Sequence, residues 1–107
     1  MKQMDLGAFL NHTDGLPRAT TLFQGSGLRG LLLHLNAGEQ IPEHQTRGAI
    51  TVQCLQGEAT FGSGEKQAKL RPASLISLAP AVPHCVMAQQ DTLLLVTVWE
   101  PVRDQSA

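Results

Sequence analysis

At 107 residues the chain has the length of one domain, and a domain of that size can bury a working core without metal or disulfide staples. Lys plus Arg is 8 against 9 for Asp plus Glu, a net charge of -1 with no basic stripe, so nothing electrostatic points to nucleic acid or an anionic membrane as partner. The longest apolar stretch, residues 93–99 (LLLVTVW), is far short of the roughly 20 residues a membrane-spanning helix needs. The cysteines Cys54 and Cys85 sit in apolar runs with no CxxC spacing, and the expectation is a reduced, cytoplasmic protein.

In chain order, residues 1–10 hold one Lys and no apolar signal core. Met4, Leu6 and Leu10 can share a helical face there, which allows at most a short N-terminal helix. Beyond it, short apolar runs at 20–23, 28–35, 49–55, 58–61, 67–70, 75–79, 85–88 and 93–99 are separated by Gly, Pro and polar clusters, the rhythm of an all-β sandwich or barrel. Gly62-Ser63-Gly64-Glu65 reads as a hairpin turn, Pro80 and Pro83 bound another turn, and Pro101 stops the last strand. The domain is expected to occupy residues 1–107, with its barrel core over about 20–100.

Alternation assigns faces. Ile50, Val52 and Cys54 share one side of their strand and should face the core, opposite Thr51 and Gln53. Leu31, Leu33 and Leu35 oppose Leu32 and His34, so both faces of that strand are largely apolar. Such a strand is buried on both sides, between sheets or in a contact with a second copy, and a homodimer through residues 30–35 is expected.

The segment 38–57, GEQIPEHQTRGAITVQCLQG, resembles the first cupin motif: glycine, five residues, histidine, one residue, histidine, a glutamate further on, and a closing glycine. Gly38, His44 and Gly57 take the first glycine, first histidine and last glycine, while Thr46 stands in place of the second histidine and Ile50 in place of the glutamate. Residues 73–84 follow the outline of the second cupin motif, with His84 at the histidine position and Ala73 and Ala81 in place of glycines. The resemblance implies a single cupin jelly-roll β-barrel, a double-stranded β-helix, with its pocket inside one end. It does not imply a reaction, because function on this fold is set by the site.

In the family's usual site three histidines and a glutamate hold a divalent transition metal. Here His44 and His84 remain; Thr46 offers only a weak neutral oxygen and Ile50 offers none. The preferred reading is a small-molecule-binding barrel without a complete metal site, its pocket formed by His44, Thr46, Ile50, Val52, Cys54 and His84, with Ile76 and Leu78 completing a rather apolar wall. Its cofactor would be none, or a weakly held divalent transition metal on His44 and His84. The alternative is a metal-dependent oxygenase or isomerase with an unrecognised third ligand, and a third reading makes the pocket vestigial in a structural dimer.

Metal-free acid–base chemistry needs a carboxylate to orient a histidine, and Glu39, Glu43 and Glu58 are all badly placed for it. Cys85 adjoins His84 and so faces away from it. His34 reads as an interface or satisfied histidine, His12 as part of a polar turn, and Trp99 and Met87 as core.

Overall fold

The structure is a computed structural model that describes residues 1–100; the stop expected at Pro101 lies outside the described residues. Among those described, nine strands follow in chain order: β1 (Ala19–Gly25), β2 (Leu28–Leu35), β3 (Gln40–His44), β4 (Ile50–Gln56), β5 (Ala59–Ser63), β6 (Lys66–Leu70), β7 (Leu75–Leu78), β8 (His84–Ala88) and β9 (Thr92–Trp99). They form two antiparallel sheets, ordered β1-β2-β9-β4-β7 and β3-β8-β5-β6. The all-β expectation holds. The N-terminal helix is reduced to one 3-10 turn, Leu6–Ala8, where the Asp5 carboxylate accepts from the Gly7 N–H.

β2 and β9, the longest strands, pair without interruption from Leu28 opposite Trp99 to Leu35 opposite Thr92. Their inward residues, with those of β4, β5 and β8, meet between the sheets. At one end Leu35, Cys54, Ala59, Leu70 and Ala88 close the barrel, each at most 2% exposed. Burying one leucine in such a place stabilises the fold by about 1.5–3 kcal/mol. At the other end the sheets part around a cavity.

The second apolar face of β2 has an intramolecular cause. Leu32 joins Leu22 and Leu93 in an outer cluster, over which Leu6, Phe9, Leu10 and Leu16 of the N-terminal segment are packed. The face expected to meet a second copy is thus covered from within the chain. His34 lies under the same strap, 7% exposed, its Nδ1 3.3 Å from the Leu16 carbonyl and its Nε2 without a partner among the described residues. It is therefore half-satisfied rather than an interface residue.

The motif glycine Gly57 is explained by both backbone and space. Its φ is +90°, and a Cβ there would collide with the Asp91 carbonyl oxygen and Thr92. The second motif behaves differently: Ala73 and Ala81 stand at the glycine positions yet keep left-handed backbones, with φ of 76° and 62°. Each follows a proline, Pro72 and Pro80, in the order of a type II turn, which places a residue of positive φ after the proline. The glycine conformation has outlasted the glycines.

Trp99 and Met87 correct the sequence reading: both are 47% exposed rather than in the core. Val98 and Val86 point inward, so period two turns their neighbours out.

Candidate functional site: a two-histidine pocket

β3 is an edge strand interrupted by Pro42, and its pairing with β8 slips between Ile41 opposite Val86 and His44 opposite His84. Three steps on β3 therefore match two on β8. This bulge restores inward parity at His44, whereas Glu43 faces the outer groove of the sheet with Cys85 and Met87. The consequence is a pair of imidazoles side by side at the open end, ring centroids 4.3 Å apart and edge to face at 61°.

The two rings differ in depth. His44 is exposed at the mouth, and His84 is 4% exposed beneath it. Phe61 stacks on His84 with centroids 5.5 Å apart and planes 10° from parallel. The Nδ1 of His44 lies 3.1 Å from the Pro42 carbonyl, and that of His84 lies 2.9 Å from the Val82 carbonyl. A carbonyl oxygen only accepts, so in each ring Nδ1 carries a hydrogen, and in the neutral form Nε2 keeps its lone pair. Burial holds the His84 pKa below its ordinary 6.5, helped by the charge of His44 and opposed in part by the Val82 hydrogen bond. His84 is thus a neutral acceptor at pH 7.

The cavity behind them measures about 310 Å³, at the small end of the roughly 300–1,000 Å³ typical of ligand pockets. Of the residues expected there, His44, Thr46, Ile50, Val52 and His84 line it. Cys54 does not: it has the right parity but lies four residues beyond Ile50, about 13 Å further along the strand. It is sealed at the closed end with Sγ 3.5 Å from the Gln56 carbonyl. Ile76 and Leu78 pack against the core from β7 instead of lining the cavity. Leu31, Leu33, Phe61 and Val96 complete the apolar wall, and Arg29 stands among them. Arg29 shares the parity of Leu31 and Leu33, so extending the alternation two residues would have found it.

The donor set does not fit the family's resident metal. Thr46 Oγ1 is engaged with the Gly48 carbonyl at 3.0 Å, Ile50 supplies hydrocarbon, and among the described residues no three His, Cys, Asp or Glu side chains cluster as metal ligands. Two imidazoles fall short of the three or four protein ligands of ordinary sites. Nor does a carboxylate orient either ring among the described residues, since backbone carbonyls take that place.

No protein-family model matches the chain, and no curated protein matches it. Solved structures do. A cupin superfamily protein from Desulfitobacterium hafniense is similar with a TM-score of 0.74 at 19% identity, covering 78% of this chain and 76% of that one. An RmlC-like cupin from Desulfovibrio desulfuricans reaches 0.75 at 21% identity, over 95% and 99%. A Thermus thermophilus protein reaches 0.75 at 25% identity, over 94% and 100%. The fold is a small β-barrel with two histidines at the mouth of its cavity. The chain thus has the fold of small cupins, including cupin-2 and RmlC-like proteins. No helix among the described residues is long and apolar enough to cross a membrane.

Proposed function

We propose that this protein binds a small, largely apolar molecule in the open end of the barrel without a resident metal. The observation that carries the reading is the site's combination of an apolar cavity with two imidazoles whose Nε2 atoms are kept as acceptors by backbone carbonyls. A ligand hydroxyl or N–H entering there gains hydrogen bonds while its body displaces water from leucine and valine walls. The free thiols of Cys54 and Cys85 suit the reducing cytoplasm in which we place the protein.

Val96→Phe tests the reading by filling the cavity from a nearly buried wall position, at a stability cost of about 1–3 kcal/mol. Fragment-sized hydroxylated aromatics, screened by ligand-observed NMR, should bind the wild type and lose contact with the folded variant. Binding unaffected by the substitution would place the ligand elsewhere and refute the reading.

One observation favours a second reading. Tying Nδ1 to a carbonyl is also how proteins orient metal-ligating histidines, so His44 and His84 would serve a metal equally well if a third ligand came from substrate. Metal content separates the two.

A further inference from the structure

We propose that the molecule this pocket takes is a small amphipathic carboxylic acid, its carboxylate held by Arg29 and a hydroxyl or N–H at its far end donating to His44 or His84; this rests on the ligand-pocket reading. Arg29 lies on β2 opposite Val98, in the five-stranded sheet, with its side chain on the cavity wall. The histidine pair belongs to the other sheet. Packed sheets stand about 10 Å apart, so a ligand meeting both needs polar groups at opposite ends of a short apolar body.

The charge balance at the cavity selects the anion. Among the described residues, Arg29 is the one guanidinium or ammonium group that lines it, and no carboxylate does. The guanidinium is also under-used. Its buried Nε is 3.3 Å from Glu100 Oε1, an ion pair between half-exposed side chains that does not reach hydrogen-bond geometry among the described residues. Exposed pairs of this kind hold weakly, so Glu100 yields readily to a better-placed acceptor. A guanidinium offers five donors in a planar fork that a carboxylate meets in bidentate fashion. One cation balances one charge, whereas a phosphate dianion would leave charge uncompensated over Leu31 and Val98.

The experiment compares para-hydroxyphenylacetate with para-hydroxyphenylacetamide, which match in shape and differ in charge, by calorimetry on the full chain. The acid should bind the wild type about tenfold or more tightly than the amide, the scale of one charge-assisted contact. Arg29→Gln should erase that preference by weakening the acid to the level of the amide, with the melting temperature close to wild type, and Arg29→Lys should retain part of it. Glu100→Gln, which frees the guanidinium, should tighten the acid alone. Equal binding of acid and amide by the wild type, or a preference that survives Arg29→Gln, overturns the carboxylate assignment and leaves a neutral-ligand pocket standing. Failure of both compounds to bind overturns the assignment and the pocket reading together.

Discussion

Ala73→Gly and Ala81→Gly should stabilise the protein, against the usual effect of glycine. With φ of 76° and 62°, both alanines sit in the left-handed region, where an L side chain costs about 1–2 kcal/mol. Glycine removes that strain but loses about 0.5–1 kcal/mol through the greater freedom of the unfolded chain. The balance is a gain of about 0.5–1 kcal/mol at each site. The two positions flank β7 and share no hydrogen-bond partner, since the Ala73 N–H donates to the Cys54 carbonyl and the Ala81 N–H to that of Thr46. Their gains should therefore add, to about 1–2 kcal/mol and a rise in melting temperature of about 4 °C or more. Urea and thermal melts provide the assay, with Ala68→Gly in the exposed strand β6 as the control expected to lose stability. Destabilisation at residues 73 and 81 equal to that of the control would refute the strain argument.

Two further outcomes follow from the buried groups. Because the folded His84 pKa lies below 6.5, the unfolded chain binds more protons between those values; stability is full above about 6.5 and declines as pH falls through the lowered folded value. His84→Gln should flatten that acid decline in urea melts across the range, and an unchanged slope would contradict the assignment. Cys54 is fully buried and its thiol pKa is raised by that burial, whereas Cys85 is half-buried on the outer face, so iodoacetamide should label Cys85 first in the native protein; equal rates at both would contradict the packing.

The strands and their faces were legible in alternation, because a half-buried strand must repeat every two residues. Ile50, Val52 and Cys54 turn inward as that rule demands. Depth was not legible: parity treats Cys54 like Ile50, although one seals the barrel floor and the other lines the pocket. β3 is not legible as a strand, because an edge strand with Pro42 and exposed polar residues carries little apolar signal. His44 and His84 were found through motif spacing, but their tautomers depend on carbonyls two residues back, which only the bulge and the turn geometry reveal. Arg29 is less legible in the sequence, because a charged residue at the start of a leucine-rich strand reads as surface until the register sets it opposite Val98.

The absence of a resident metal is the central claim, and the metal content of the full chain purified without a histidine tag tests it most directly. The two-imidazole donor set predicts well under one transition-metal ion per chain, with no change in His44→Ala or His84→Ala. Near-stoichiometric metal in the wild type, lost in both variants, would contradict the claim and restore the metal-dependent reading.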